Sequence, residues 1–211
     1  MRKHSNLKNL ILKTLIHSLM AHLAPMIIYV YWAFALVIGF VFFRKDIISF
    51  NKEYDSRRIM LLVFSILIVA VNAYVYSHST TNGGRPIDPL SVVIFSIGNG
   101  VAETFYFYAF FRLGETLVGK FTTNQWAKFI VGFICFMIYS GIIHARFWLP
   151  ILPEHIVQTS PLKPFFMPVQ IMIATSWALS FFWYRDLRTV VILHALVDLT
   201  MILSVRFSVI G

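Results

Sequence analysis

Hydrophobic residues fill this chain in long blocks, and most polar residues lie in the short stretches between the blocks. The blocks are roughly 18 residues or longer, the length of helix that crosses about 30 Å of hydrocarbon at 1.5 Å per residue. They lack the alternating ten-residue segments of a membrane β-barrel. The pattern predicts an all-α, polytopic transmembrane helical bundle of about six spans, near residues 25–43, 59–77, 90–112, 127–148, 165–183 and 189–209.

The N-terminal segment has a different pattern. Within residues 7–23 the apolar side chains fall near one helix face, and lysines and histidines lie elsewhere. This arrangement predicts an amphipathic helix lying in the membrane interface, with a poor first span as the alternative. We therefore divide the chain into an interfacial segment, 1–24, and a single transmembrane domain, 25–211.

Composition agrees with this class. Hydrophobic residues make up 58% of the chain and charged residues 13%, whereas a soluble domain carries about a quarter charged residues. The net charge of +9 comes from 18 lysines and arginines that lie almost entirely between the apolar blocks. Their expected partner is the anionic surface of a lipid bilayer and not nucleic acid.

Lysine and arginine are unevenly distributed among the loops. The loops 44–58, 112–128 and 184–188 hold five, three and two of them, whereas 78–89 and 149–164 hold one each. The first three loops are therefore predicted to lie together on the cytoplasmic side. The N-terminus, with four, then falls on the other side unless residues 7–23 also cross or fold back. The short link 184–188 also predicts that the last two spans are antiparallel neighbours.

Two acidic residues, Glu103 and Asp198, and two histidines, His144 and His194, lie inside the predicted spans. A charge in hydrocarbon loses its hydration, so such groups pair with one another, line a wet cavity or do chemistry. His194 and Asp198 are four residues apart and share one helix face, as do Asn99 and Glu103. The alternative is that these pairs only hold helices together through hydrogen bonds.

The neighbours of Glu103 and His144 differ. Small residues beside Glu103 (Gly98, Gly100 and Ala102) allow another backbone to approach, and a carboxyl group held away from water suits a general base. His144 lies near the end of its span, where a lone histidine is usually only hydrogen-bonded. Its assignment to a site depends on the other three residues.

Three motifs resemble those of the CAAX-protease and bacteriocin-processing (CPBP, or Abi) family of intramembrane proteins. AETFYFYAFFR is similar to the first family motif, with Glu103 as its first glutamate; YSGIIHARF is similar to the second, through His144; LRTVVILHALVDL is similar to the last, through His194 and Asp198. The resemblance covers residues 90–209. Thr104 and Tyr108 stand where the family has a second glutamate and an arginine, and Arg112, one turn later, is the candidate replacement for that arginine.

The resemblance implies a glutamate-dependent hydrolase in a bacterial cell membrane, acting on a membrane-embedded or lipidated peptide. Glu103 would activate a water, His144 would hold that water, and His194 beside Asp198 would stabilise the oxyanion. Supporting positions would be Asn99, Thr104, Tyr108 and Arg112.

Three alternatives remain open at this stage. No cofactor is expected, but Glu103, His144 and His194 match the His₂Glu set of catalytic zinc sites. An acyltransferase acting on lipoproteins would use the same groups and give the acyl chain to an amine. A non-catalytic immunity or scaffold protein would use them only to hold helices together.

Overall fold

The computed structural model describes residues 26–49 and 53–210, and this part of the chain is all-α, as predicted. The predicted amphipathic helix, 7–23, lies outside the described residues. The helices, numbered in chain order, are α1 (described over Met26–Phe42), α2 (Arg44–Ile48), α3 (Ser56–Ser79), α4 (Pro89–Gly119), α5 (Gln125–His155), α6 (Phe166–Tyr184) and α7 (Leu187–Val205). A 3₁₀ turn, Lys163–Phe165, precedes α6.

Five segments of the described chain are long and apolar enough to cross a membrane. They are Ser56–Ser79, Pro89–Gly119, Gln125–His144, Lys163–Tyr184 and Leu187–Val205. Helix α1 is also apolar, but its described part, Met26–Phe42, is shorter than these five segments. The protein is therefore a helical, multi-pass membrane protein by the length and composition of its helices.

Helix α1 runs parallel to α4. The ring of Trp32 lies 6.4 Å from that of Phe95, and, further along both chains, the ring of Phe43 lies 4.9 Å from that of Tyr108. Residue numbers thus increase in the same direction in both segments. This position agrees with the prediction of a span near 25–43.

Helix α4 is central, because α5 and α7 both pack along it while α3 packs on α6 and α7. Gly100 lets α4 and α7 approach closely: a Cβ atom there would lie 2.8 Å from the backbone nitrogen of Ala195. Gly114 does the same for α4 and α5, since its Cβ would lie 2.6 Å from the Val131 carbonyl oxygen. Helices α6 and α7 are neighbours, as predicted, but each of them contacts α3 more extensively than it contacts the other.

The three basic loops meet at one end of the bundle, as their composition predicts. Arg58 pairs with Asp186 at 2.5 Å, and Arg185 pairs with Glu115 at 2.6 Å. We call this group of residues, with Asp46, Tyr108, Arg112 and Arg188, the basic-end network. At the other end, loops 78–89 and 149–164 meet through a single antiparallel bridge between Thr80 and Ile156.

At each end of the bundle, an aspartate caps the N-terminus of a helix. The backbone N–H of Arg58 hydrogen-bonds to Asp55 and lowers the pKa of that carboxyl group, and bonds from the side chain and backbone of Ser91 lower the pKa of Asp88. Asp55 precedes α3 and Asp88 precedes α4. Both carboxylates satisfy backbone donors that the first helical turn leaves without a partner.

Two helices are longer than the hydropathy pattern predicts. Helix α4 continues to Gly119 and not to about 112, because Gly114 packs on α5 and Glu115 binds Arg185. Helix α5 continues to His155, so the stretch 150–164, predicted as a proline-rich loop, is helical in its first part. Proline is tolerated in membrane helices where surrounding groups satisfy the freed backbone carbonyls.

Candidate functional site

Glu103 and His194 face each other where α4 and α7 approach most closely. The His194 Nε2 atom lies 3.4 Å from Glu103 Oε2. Both residues are buried, with 8% and 4% of their surfaces exposed. Because Gly100 lies one turn from Glu103 and packs on Ala195, next to His194, the absence of a side chain at 100 permits this contact.

Asp198 and Asn99 lie on the next turns of the same two helices. Asp198 Oδ2 is 3.7 Å from His194 Nε2 and accepts a hydrogen bond of 3.1 Å from Asn99 Nδ2. Trp32 Nε1 donates to Asn99 Oδ1 at 3.2 Å. Since an indole N–H only donates, this bond fixes the Asn99 oxygen toward α1 and its NH₂ group toward the Asp198 carboxylate.

Thr104 defines the orientation of the His194 ring. Its hydroxyl donates to the Gly100 carbonyl at 2.6 Å and lies 3.1 Å from His194 Nδ1. A hydroxyl has one hydrogen, and the carbonyl can only accept it, so His194 Nδ1 must be the donor in the second bond. The other nitrogen, Nε2, therefore faces the two carboxylates.

The charges around His194 are unbalanced. Two carboxyl groups face one imidazole, and no Lys or Arg side chain in the described parts of the chain forms an ion pair with Glu103 or Asp198. Adjacent carboxylates in a dry environment do not titrate independently. We therefore expect the three groups to bind and release protons as one unit.

His144, on α5, lies close to the cluster. Its Nδ1 atom donates to the Ser140 carbonyl at 2.7 Å, and the Ser140 hydroxyl is 3.1 Å from the same nitrogen. The ring of Phe107 lies 5.4 Å from that of His194 and 6.5 Å from that of His144. Three of the predicted residues thus form a contact cluster, and the fourth lies beside it.

Two supporting positions lie elsewhere. The Tyr108 hydroxyl donates to Asp46 at 2.7 Å, and Arg112 lies 3.6 Å from Glu115. Nine residues separate Arg112 from Glu103, about 13.5 Å along a helix axis. Arg112 is therefore not placed to balance the Glu103 charge, and both residues belong to the basic-end network. Asn99 and Thr104, in contrast, contact the cluster directly.

Several aromatic residues at the site were not predicted. The ring of Trp177, on α6, lies 4.6 Å from the His194 ring. The rings of Tyr31 and Tyr139 pack on Tyr106 and Phe107, about one turn after Glu103 on α4. In a chain with 17% aromatic residues, their sequence positions do not separate them from lipid-facing residues. The one available signal was that Tyr139 precedes Ser140 in the second motif.

No group of three or more His, Cys, Asp and Glu side chains in residues 26–49 and 53–210 is arranged to hold a metal ion. The zinc alternative, with Glu103, His144 and His194, stays a prediction.

Comparison of the chain with protein-family models, with curated proteins and with solved structures gives no match. The resemblance to the CPBP family therefore rests on the three motifs. What is shown is a multi-pass helical membrane protein with a buried carboxylate–imidazole–carboxylate cluster between two central helices.

Proposed function

We propose that this protein is an intramembrane hydrolase in which Glu103 activates a water molecule against a membrane-embedded or lipidated peptide. The observation that supports this most is the 3.4 Å contact between the Glu103 carboxylate and His194 Nε2 in the middle of α4 and α7. A carboxylate beside an imidazole can accept a proton and share it. The three CPBP-like motifs support the same assignment.

The reaction follows from these groups. Glu103 accepts a proton from water while the water oxygen attacks the substrate carbonyl carbon, and the carbonyl oxygen becomes an oxyanion. The carbon–nitrogen bond then breaks, and the leaving amine takes the proton that Glu103 had accepted. The products are a carboxylic acid and an amine, and Glu103 returns to its starting state.

The geometry changes the role expected for His194. Its Nδ1–H donates to Thr104, and its Nε2 faces Glu103 and Asp198, so neither nitrogen points away from the cluster. We therefore assign His194 as the group that shares the proton with Glu103, not as the oxyanion donor. Asp198 and Asn99 position it and complete the hydrogen bonds of the buried carboxylates.

The location of the cluster supports a substrate that lies in the membrane. Glu103 is near the middle of α4, with about 20 Å of helix on either side at 1.5 Å per residue. The surfaces of α1, α3 and α5 that surround the bundle expose large apolar side chains. A peptide or acyl chain that reaches Glu103 at this depth must pass along these apolar surfaces.

The test is Glu103→Gln, which keeps the shape of the side chain and removes the base. We expect turnover to fall by roughly 10³-fold or more, the scale at which a general base contributes. Membrane proteins from cells with the wild-type chain, with Glu103→Gln and without the gene are compared by mass spectrometry. Glu53→Gln, in the loop before α3, is the matched control and should keep full turnover.

The outcome separates the proposed reaction from its alternatives. A substrate shortened only in the presence of the wild-type chain supports hydrolysis, whereas a lipoprotein heavier by one fatty chain supports N-acylation. Full turnover by Glu103→Gln would exclude Glu103 as the base.

A non-catalytic role is favoured by one observation: the members of the cluster are buried and satisfy one another's hydrogen bonds. Such a cluster can serve only to join α4 and α7. In that case Glu103→Ala, His144→Ala and His194→Ala variants that still fold would keep the biological effect of the protein. The same cellular comparison measures this.

A further inference from the structure

The proposed reaction needs hydrogen-bond donors for the oxyanion, and the cluster around His194 uses most of its donors within the protein. The His194 Nδ1–H donates to Thr104, and the Asn99 amide donates one of its two hydrogens to Asp198. An oxyanion is stabilised by several donors that are aimed at it in advance. A further donor close to Glu103 is therefore expected.

Two tyrosines lie beside the segment of α4 that follows Glu103. The hydroxyls of Tyr31, on α1, and Tyr139, on α5, are 3.0 Å apart. The Tyr31 ring stacks on that of Tyr106, and the Tyr139 ring lies 6.0 Å from that of Phe107. Because Tyr106 and Phe107 follow Glu103 by three and four residues, they share its side of α4. The tyrosine pair is half-buried and lies one helical turn from the buried Glu103.

The hydrogens of this pair can be counted. Each hydroxyl carries one hydrogen, and one of the two is used in the bond between them. Within the described chain, neither hydroxyl has another hydrogen-bonding partner. One O–H of the pair is therefore available to donate to a bound group.

We propose that the Tyr31–Tyr139 hydroxyl pair is the oxyanion-binding donor of this site. The assignment rests on the proposed function and adds two residues that contact the reacting carbonyl group. The ligand class is a carbonyl compound whose oxygen becomes negatively charged as water attacks. Tyrosine hydroxyls are among the side-chain donors that serve this purpose in enzymes.

The pair is held in place before any substrate binds. The ring of Tyr106 stacks on that of Tyr31 at 4.7 Å, and the Tyr106 hydroxyl donates to the Tyr31 carbonyl oxygen at 3.2 Å. On the other side, the ring of Phe110 stacks on that of Tyr139 at 4.1 Å with an interplanar angle of 11°. Donors fixed in advance stabilise an oxyanion without reorganisation during the reaction.

The test measures binding of an oxyanion mimic and does not need turnover. The probe is a long-chain alkyl phosphonate, whose tetrahedral anionic head resembles the intermediate, and the comparison ligand is the alcohol of the same chain length. Binding is measured by calorimetry on the full-length protein in lipid nanodiscs. All variants carry Glu103→Gln, because the glutamine is neutral like the protonated base that faces the intermediate.

Three further changes are compared in this background. The double variant Tyr31→Phe with Tyr139→Phe should bind the phosphonate roughly 10-fold more weakly or worse, the scale for a hydrogen bond to a charged group. Each single variant should lose less, because the remaining hydroxyl keeps its own hydrogen. Tyr29→Phe, on the same helix as Tyr31, removes a hydroxyl that donates to the Val209 carbonyl oxygen at 3.2 Å; it is the matched control and should bind as tightly as Glu103→Gln alone.

The affinity for the alcohol should be the same in every variant, which distinguishes loss of a donor from loss of packing. Equal phosphonate affinity in the double variant and in Tyr29→Phe would overturn the inference. So would phosphonate binding by Glu103→Gln that is no tighter than alcohol binding. Neither result bears on whether Glu103 is the base, which is decided by turnover.

Discussion

The bundle has two buried polar regions that look alike in composition and differ in charge. In the basic-end network, Asp186 pairs with Arg58 and Glu115 pairs with Arg185. At the site, Glu103 and Asp198 face one imidazole, and their other partners are neutral. Both regions bury carboxylates, but only the first supplies a permanent cation for each one.

This difference separates a structural role from a chemical one. An arginine stays charged at any physiological pH, and a fixed positive charge stabilises the ionised form of a carboxylate and so makes it a weak proton acceptor. A carboxylate held by an imidazole and an amide has partners that tolerate both protonation states. Carboxylates inside a membrane protein that lack a fixed cation are therefore the better candidates for proton transfer.

The largest effect is expected from exchanging one aspartate of each region for asparagine. Asp186→Asn keeps the helix cap, since asparagine also caps helices, but it leaves the buried Arg58 charge without its carboxylate. We expect the free energy of unfolding to fall by about 3 kcal/mol. Asp198→Asn removes a charge that no arginine or lysine neutralises, so the change should be below about 1 kcal/mol.

Both variants are measured by reversible denaturation in mixed micelles. If Asp198→Asn destabilised the protein as much as Asp186→Asn, the proposed difference between the two buried polar regions would be wrong. That result would mean that His194 is a permanent cation at the site and that the two regions are electrostatically equivalent.

A smaller effect is expected from adding a methyl group where α4 meets α7. In Gly100→Ala the new Cβ would lie 2.8–2.9 Å from the backbone of Ala195, and backbone cannot move aside as a side chain can. We expect a loss of about 2 kcal/mol in the free energy of unfolding, together with lower turnover, because the helices that carry Glu103 and His194 separate. Gly141→Ala is the matched control, since a Cβ there meets nothing within 4 Å.

Gly141→Ala should leave the stability unchanged or raise it by a few tenths of a kcal/mol, because alanine favours helix over glycine. If Gly100→Ala behaved in the same way, the close approach of α4 and α7 would not control the site. The separation of the two helices is then measured by distance spectroscopy between spin labels on their ends.

The sequence predicts several features of these two regions well. Apolar blocks of membrane-spanning length determine the helices, and the four-residue spacing of His194 and Asp198 places both on the face that meets Glu103. The grouping of three basic loops at one end also follows from composition. These features depend on residues that are close together in the chain or on the number of lysines and arginines in a whole loop.

The remaining features depend on which helices become neighbours. Arg112 lies one turn beyond Tyr108 and looked available to Glu103, but Glu115 lies closer to it. Trp32 and Tyr31 of α1 have the sequence pattern of lipid-facing aromatic residues, but the parallel packing of α1 on α4 brings Trp32 to Asn99 and Tyr31 to Tyr106. Such contacts between distant segments have no local pattern in the chain.

The smallest effect in this series comes from one hydroxyl group. Thr104→Val keeps the shape of the side chain but removes the acceptor for the His194 Nδ1–H, which leaves a buried donor without a partner. We expect a loss of about 1–2 kcal/mol in the free energy of unfolding. We also expect a change in the pH profile of turnover, because the orientation of the His194 ring is then no longer fixed by a bond at Nδ1.

Thr175→Val is the matched control. The Thr175 hydroxyl also donates to a carbonyl of its own helix, that of Ile171 at 2.7 Å, and has no second partner among the described residues. If both valines changed stability equally and left the pH profile unchanged, Thr104 would serve only its own helix, and the orientation of His194 would have to be determined by the carboxylates alone.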